Sequence, residues 1–144
     1  MNARSPDPPA VVLVVEDEPF TCFMAADVLS RSGLTVLEAS CTDEALRILE
    51  AQADVRAVFT DVEMPGSLDG LELARRIAER WPSTRIVISS GHACHMARAE
   101  SKYSFLAKPY AGPALVRQIQ ETSQAALARD PVLAVLKVRK ATRL

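Results

Sequence analysis

The sequence predicts an α/β domain in which a parallel sheet of five strands is covered by helices on both faces. Five short apolar runs alternate with segments of helical periodicity, a pattern typical of strand–helix–strand units with right-handed crossovers. The first run, residues 11–15, is aliphatic throughout, which indicates a strand buried on both faces. A length of 144 residues, with 49% hydrophobic and 24% charged residues, suits one globular domain with a substantial core.

The first strand, residues 11–15, is followed by a helix and then by a second strand over residues 34–38. Pro19 suits the first turn of this helix, and Gly33 suits its end. Four apolar residues mark the helix by their spacing: Phe20, Phe23, Met24 and Val28. Residues 1–9 contain three prolines and no hydrophobic pattern, so we expect a disordered tail there.

The second helix and the third strand follow in the same way. Thr42 is expected to cap the helix, and Asp43 and Glu44 in its first turn favour the positive end of the helix dipole. The apolar face of this helix is formed by Ala45, Ile48 and Leu49. The third strand spans residues 55–60 and ends at Asp61.

The second half of the chain continues the alternation. Residues 64–70 (MPGSLDG) are predicted to form a loop because of their proline and glycine content, and the next helix stops near Pro82. That helix is marked by Leu71, Ala74, Ile77 and Trp81. Residues 86–89 and 104–107 are predicted strands, and residues 112–129 form the last helix.

Reactive side chains follow the predicted strands directly. Glu16 and Asp17 come after the first strand, Asp61 after the third and Lys108 after the fifth, while the fourth ends at two serines, Ser89 and Ser90. In a doubly wound sheet the site lies beyond the carboxyl ends of the strands. We therefore expect three carboxylates, a hydroxyl and an ammonium group to meet on one edge of the sheet.

This set of groups suits phosphoryl chemistry with a divalent cation. Neighbouring carboxylates raise one another's pKa, and Mg²⁺ relieves the repulsion because it takes oxygen ligands and keeps several waters. An aspartate carboxylate can attack phosphorus to give an acyl phosphate. The metal and Lys108 would stabilise the charge on the transferring group, and a serine hydroxyl can donate a hydrogen bond to it.

Four segments resemble, in order, the four blocks of response-regulator receiver domains, the phosphoacceptor modules of two-component signalling. They are VVEDEP, FTDVEMPG with DGLEL, ISSGH and FLAKPY. The resemblance covers about residues 10–129, which leaves residues 1–9 as the tail and residues 130–144 as a C-terminal extension. It implies a flavodoxin-like (CheY-like) fold with strand order 2-1-3-4-5 and helices on both faces.

The resemblance also implies roles for the acidic residues. Asp61 corresponds to the phosphoacceptor, and Asp17 to a direct ligand of Mg²⁺. Glu16 corresponds to the acid that holds the metal mainly through water, although the family more often has aspartate there. The backbone carbonyl of Glu63 would complete the protein ligands.

Three further positions match the family's switch and its lysine. Ser90 corresponds to the switch hydroxyl, since Ser89 should face the opposite side of the sheet. Phe105 corresponds to the aromatic switch position, and a plain core role is the alternative. Lys108 corresponds to the lysine that pairs with the phosphate, and it is followed by Pro109, which the family often places in a cis peptide.

Two departures from the family concern loops. MPGSLDG carries one residue more than the usual turn, which should alter only that loop. Only 17 residues separate Ser90 from Lys108, a few fewer than usual, so we expect the helix between strands 4 and 5 to be short or irregular. That helix is part of the surface that usually reports phosphorylation, so the usual output mechanism is in question here.

The remaining candidate residues indicate no second site. His92 and His95 lie three apart without a third metal ligand, so we interpret them as exposed loop histidines. Cys22, Cys41 and Cys94 form no CxxC pair, which argues against a disulfide framework or a zinc site and suits a reducing cytoplasm. The net charge of −1 gives no attraction to nucleic acid or membrane.

The sequence thus predicts a single-domain receiver, not a conventional enzyme, that takes a phosphoryl group from a phosphohistidine onto Asp61 and then switches its partner interactions. The donor would be a histidine kinase or a histidine phosphotransfer protein, and the chain would be a monomer or weak homodimer.

Three alternatives stay open: a pseudo-receiver that binds partners without phosphorylation, a fragment of a longer regulator or hybrid kinase, and an aspartyl-phosphate enzyme acting on small molecules. For the last, the segment DVE at 61–63 matches the required DxD motif only in part. Residues 130–144, apolar and basic, are either a mobile tail or a dimer or partner contact.

Overall fold

The computed structural model describes residues 10–52, 54–64, 68–91 and 103–129, with the backbone alone over 122–129. Within these ranges five strands and four helices alternate, as the sequence predicts. The strands are β1 (Val11–Val15), β2 (Thr35–Ala39), β3 (Val55–Asp61), β4 (Arg85–Ser90) and β5 (Tyr103–Ala107). The helices are α1 (Pro19–Arg31), α2 (Thr42–Ala51), α3 (Gly70–Arg80) and α4 (Gly112–Arg129).

All neighbouring strands pair in parallel, in the order β2-β1-β3-β4-β5, which confirms the predicted topology. The register between β3 and β4 sets Asp61 beside Ser89, and that between β4 and β5 sets Ser90 beside Ala107. The carboxyl ends of β3, β4 and β5 therefore meet at one edge. The predicted tail, the C-terminal extension and the segment 92–102 lie outside the described residues.

The central strands are buried on both faces because helices pack on each side. Alternate residues of a strand point to opposite faces. Leu13 and Val15 of β1 thus belong to the apolar cluster beneath α2 and α3. Val12 and Val14 belong to the cluster beneath α1 and α4. This arrangement explains why the first apolar run of the sequence has no polar position.

The buried face of α1 differs from the residues that mark the helix in the sequence. Phe20, Phe23 and Met24 are 68%, 61% and 48% exposed. The buried positions are instead Cys22, Ala25, Ala26 and Leu29. Both sets have helical spacing, and the set with small residues faces inward, where it lets the helix lie close to the sheet. An apolar stripe of large side chains is left on the outer face.

The expected cap of α2 is wrong by one position. Cys41 is the N-cap, and its sulfur accepts a hydrogen bond from the amide of Glu44 at 3.5 Å. Thr42 is instead the first helical residue and is fully buried, and its hydroxyl donates to the carbonyl oxygen of Leu68 at 3.3 Å. The Thr42 hydroxyl, which the sequence suggests as the helix cap, is thus used for a hydrogen bond to the loop before α3. Gly33, with φ of 91°, follows the end of α1, as expected.

Helix α3 has a buried apolar face and a charged outer face. Asp69 caps it by accepting a hydrogen bond from the amide of Glu72 at 2.8 Å. The buried positions are Gly70, Leu73, Ala74 and Ile77. On the outer face Glu72 pairs with Arg75 and with Arg76. Within the described ranges, no helix is both long enough and apolar enough to span a membrane.

Candidate functional site

The carboxyl edge of the sheet contains a cleft of about 230 Å³. Its walls come from the ends of three strands and the residues that follow them: Asp61, Val62, Glu63, Ser90, Gly91 and Lys108. These residues are distant in sequence and are brought together because parallel strands all end at one edge. Asp61, Glu63, Ser90 and Lys108, four of the predicted site residues, therefore line the same cleft.

The carboxylate of Asp61 is held by two donors. The Lys108 ammonium donates to Oδ2 at 2.6 Å, and the backbone amide of Glu63 donates to Oδ1 at 3.2 Å. The Asp61 side chain is 12% exposed and that of Lys108 is 36% exposed, so the ion pair is partly shielded from water. Charge-assisted hydrogen bonds of this kind fix the orientation of the carboxylate.

The position of Lys108 follows from the pairing of β4 with β5. Its backbone amide donates to the carbonyl of Ser90 at 2.9 Å, which extends the ladder by one residue past β5. The peptide bond to Pro109 is cis. The end of β5 is thereby tied to the end of β4, and the lysine side chain reaches across to Asp61.

The backbone beside Asp61 is also fixed from several directions. The amide of Val62 donates to the carbonyl of Ser89 at 3.1 Å, and the amide of Gly70 donates to the carbonyl of Val62 at 2.8 Å. The Thr60 hydroxyl donates to the Asp61 carbonyl at 3.0 Å. Strand β4 and the first turn of α3 therefore hold this segment between them.

Glu16 and Asp17 stand at the same edge, directly after β1. Burial of Glu16 raises the pKa of its carboxyl, and a hydrogen bond with the Asp17 side chain and the negative charges of Asp61 and Asp17 raise it further. A hydrogen bond of 2.9 Å from the Glu18 amide to Oε2 of Glu16 acts in the opposite direction. Burial is thus the main cause of the raised pKa of Glu16, and the carboxylates of Asp61 and Asp17 add negative charge at this edge.

The donor set fits a hard divalent cation. Within the described ranges, no three His, Cys, Asp or Glu side chains already converge as a metal cluster. Mg²⁺ does not need such a cluster, since one or two carboxylates with backbone carbonyl and water ligands suffice. The carboxylates of Asp17 and Asp61, the backbone carbonyl of Glu63 and the carboxylate of Glu16 are all oxygen donors of the required type.

Ser89, Ser90 and Phe105 differ in their position relative to the cleft. Ser90 is 3% exposed and lines the cleft, whereas Ser89 is 2% exposed and contacts the Asp61 segment through its carbonyl. Phe105 is half-buried, pairs with Ile88 in the register of β4 and β5, and packs against the cluster beneath α2 and α3. The cleft therefore contains Ser90, and Phe105 lies on the strand beside it.

Tyr110, two residues after Lys108, is a further residue near the site that the sequence pattern does not single out. Its ring meets that of Phe59 edge to face, with centroids 5.7 Å apart and planes at 89°. Burial raises the pKa of Tyr110, and the negative charges of Glu16 and Asp61 raise it further. The position after the Lys-Pro pair could have suggested a site residue. His92, His95 and Cys94 lie outside the described residues.

Comparison with known proteins gives one family. Residues 12–120 match the sequence model of the response regulator receiver domain. The chain is 34% identical over 117 residues to the sensor kinase CckA of Brucella abortus, covering 78% of this chain and 12% of CckA. It is 33% identical over 110 residues to the nitrogen assimilation regulatory protein NtrX of Azorhizobium caulinodans, covering 73% of this chain and 24% of NtrX. The chain thus spans a quarter or less of these two relatives.

Solved structures show the same fold. The receiver domain of the hybrid histidine kinase CckA superposes with a TM-score of 0.68 at 30% identity, covering 79% of this chain and 99% of that domain. A receiver domain protein from Clostridium thermocellum gives a TM-score of 0.73 at 29% identity, covering 81% and 95%. The response regulator TrrA from Thermotoga maritima, solved in complex with Mg²⁺–BeF, shares the fold with a TM-score of 0.71 at 23% identity, covering 78% and 98%.

Proposed function

Since the chain belongs to the response regulator receiver domain family, we propose that it takes a phosphoryl group from a phosphohistidine onto Asp61. The observation that carries this proposal is the 2.6 Å bond between the Lys108 ammonium and the Asp61 carboxylate at the wall of an open cleft. It supplies a fixed nucleophile with a positive charge beside it. A purely structural ion pair would not require a cleft of this size next to it.

The transfer is a displacement at phosphorus. A carboxylate oxygen of Asp61 forms a bond to phosphorus as the bond from phosphorus to the donor's imidazole nitrogen breaks, and the electron pair returns to that nitrogen. The Lys108 ammonium stabilises the negative charge of the phosphoryl oxygens. The Ser90 hydroxyl, at the wall of the cleft, donates a hydrogen bond to one of them.

Four groups would hold Mg²⁺ during this step. Asp17, Asp61 and the backbone carbonyl of Glu63 would bind it directly, and Glu16 mainly through water. When bound, the ion neutralises part of the charge on the transferring phosphoryl group. The closeness of Asp61 and Asp17 to Glu16 supports this assignment, since their negative charges raise the pKa of Glu16 in addition to its burial. Mg²⁺ with beryllofluoride, the pair present in the TrrA structure, is the natural probe.

Phosphorylation then acts as a switch. The acyl phosphate adds about −1.5 to −2 charges at neutral pH, and it lies next to buried Ser90. Movement of Ser90 toward the phosphate leaves space near half-buried Phe105, whose ring turns inward to fill it. The changed surface is read by a downstream protein in the cytoplasm, and hydrolysis of the acyl phosphate resets the switch.

The phosphohistidine donor, a histidine kinase or a histidine phosphotransfer protein, docks on the outer face of α1. That face starts two residues after Asp17 and exposes Phe20, Phe23 and Met24. A donor must bring its histidine to Asp61 at this same edge of the sheet. Exposed large apolar side chains next to a reaction site mark a contact surface, since they otherwise add nothing to stability in water.

Acetyl phosphate with Mg²⁺ tests the proposal. We expect the wild-type protein to gain one phosphoryl group by intact mass, and Asp61→Asn to gain none because the nucleophile is lost. Asp27→Asn is the matched control, since Asp27 is a partly exposed α1 residue paired with Arg31 at 3.0 Å. The proposal fails if wild type shows no Mg²⁺-dependent labelling, as a pseudo-receiver would, or if Asp61→Asn is still labelled. Repeated turnover of a phosphate ester would instead indicate a small-molecule enzyme.

A further inference from the structure

Gly70, the first residue of α3, lies against the backbone of the proposed phosphoacceptor. A Cβ atom at this position would stand 1.9 Å from the carbonyl oxygen of Asp61, 2.8 Å from its carbonyl carbon and 2.9 Å from the Cα of Val62. All three contacts are backbone atoms, so no side-chain rotation could relieve the overlap. Glycine is thus the residue that permits this close approach.

Hydrogen bonds show that the approach is held on both sides. The Gly70 amide donates to the Val62 carbonyl at 2.8 Å, and the Val62 amide donates to the Ser89 carbonyl at 3.1 Å. The Asp61 carbonyl accepts from the Thr60 hydroxyl at 3.0 Å. The peptide between Asp61 and Val62 therefore lies between β4 and the start of α3.

Helix α3 is not free to retreat from this contact. Leu73 and Ala74, in its first turns, are fully buried against the sheet. The loop before it is tied to α2, because the Thr42 hydroxyl donates to the Leu68 carbonyl at 3.3 Å. A methyl group at position 70 would therefore displace the Asp61–Val62 backbone rather than the helix.

Such a displacement would act on the carboxylate of Asp61. Its two hydrogen bonds, from the Lys108 ammonium at 2.6 Å and from the Glu63 amide at 3.2 Å, depend on where this backbone lies. We propose that Gly70 is a positioning residue for Asp61, and that its missing side chain sets the place of the nucleophile relative to Lys108. This inference rests on the proposed function and adds a requirement to it.

The test compares Gly70→Ala with Gly33→Ala. Gly33 has a φ of 91°, so alanine there costs stability through backbone strain. A Cβ atom at this position would have no neighbouring atom within 4 Å, so the change would not touch the cleft. Binding of beryllofluoride, formed from beryllium chloride and sodium fluoride with Mg²⁺, is followed by ¹⁹F NMR. Urea unfolding of each variant gives its stability, and binding is measured at a temperature where both are folded.

We expect Gly70→Ala to bind beryllofluoride about tenfold to a hundredfold more weakly than wild type, the effect of misplacing a reacting group by about 1 Å. Gly33→Ala should bind within about twofold of wild type despite its loss of stability. Equal binding by folded Gly70→Ala overturns the inference, and so does a loss in Gly33→Ala as large as that in Gly70→Ala. Absence of binding by wild type overturns the proposed function as well.

Asp69→Ala keeps the inference testable if Gly70→Ala does not fold. This change removes the cap of α3 but leaves the glycine in place. The first turn of α3 then holds the Val62 carbonyl less firmly, and we expect several-fold weaker binding of beryllofluoride. Unchanged binding in Asp69→Ala would contradict a positioning role for the start of α3.

Discussion

Helices α1 and α3 both begin at the carboxyl edge of the sheet, yet they turn opposite kinds of side chain toward solvent. The outer face of α3 carries the ion pairs of Glu72 with Arg75 and Arg76, and its apolar residues are buried. The outer face of α1 carries large apolar side chains, Phe20 and Phe23 among them. Its buried face is made mostly of small residues.

The difference suits the separate roles proposed for the two helices. A charged outer face keeps α3 soluble and leaves its buried side chains to supply stability. The exposed side chains of α1 contribute little to stability in the isolated domain, and they become buried only when another protein covers them. In the proposals made above, α3 acts within the domain through Gly70, and α1 acts outward toward a donor.

The largest expected contrast is in stability. Ile77 of α3 is fully buried, so Ile77→Ala should lower the free energy of unfolding by about 2–5 kcal/mol. Phe23→Ala on α1 removes a larger side chain but should cost less than about 0.5 kcal/mol, because Phe23 is 61% exposed. Urea denaturation of the isolated domain measures both. A cost for Phe23→Ala near that for Ile77→Ala would mean that this face of α1 is covered in the free protein.

The next contrast is in phosphotransfer. Phe23→Ser should lower the rate of transfer from a histidine kinase, found by screening a kinase panel, at least about tenfold, because an aromatic hot spot at an interface is worth about 2 kcal/mol or more. Its rate with acetyl phosphate should match wild type, since a small donor needs no docking surface. Arg76→Ser on the exposed face of α3 is the control and should leave both rates unchanged. Equal transfer rates from the kinase to wild type and Phe23→Ser would exclude the α1 face as the docking surface.

The smallest expected contrast is at Glu16, just before α1, whose carboxyl is partly buried and lies beside the negative charges of Asp61 and Asp17. Because the folded-state pKa of Glu16 is raised, its ionisation costs stability above that pKa, and the cost disappears as pH falls through it. Glu16→Gln should therefore stabilise the domain at pH 7 by roughly 0.5–1 kcal/mol, and the gain should shrink toward pH 4. Asp69→Asn at the start of α3 is the comparison. Urea titrations at several pH values would refute this if the gain from Glu16→Gln were constant.

The order of elements and the meeting of Asp61 with Lys108 were predictable from the sequence because they follow from pattern and topology. Aliphatic runs followed by charged residues locate the strand ends, and parallel pairing then brings Asp61 and Lys108 together. The limits of the strands shift little, as with β2, predicted at 34–38 and found at Thr35–Ala39. These features need no knowledge of side-chain packing.

What the sequence did not predict depends on tertiary contacts. The apolar spacing of α1 fits two faces equally well, and only packing against the sheet selects Leu29 and its small neighbours. Thr42 looks like a cap until the carbonyl of Leu68 comes within reach. The role of Gly70 likewise appears only when α3 is placed against Asp61. The roles of Ser90 and Phe105 remain predictions.

The bond between Lys108 and Asp61 spans 47 residues of sequence. A chain emerging from the ribosome can complete β1 to β3 well before the lysine has been synthesised, since translation adds only about 5–20 residues per second. Until β5 leaves the exit tunnel and pairs with β4, the nascent protein holds its acids without their counter-charge. The charge pairing at the cleft is therefore completed only when the last strand of the sheet has been made and has paired with β4.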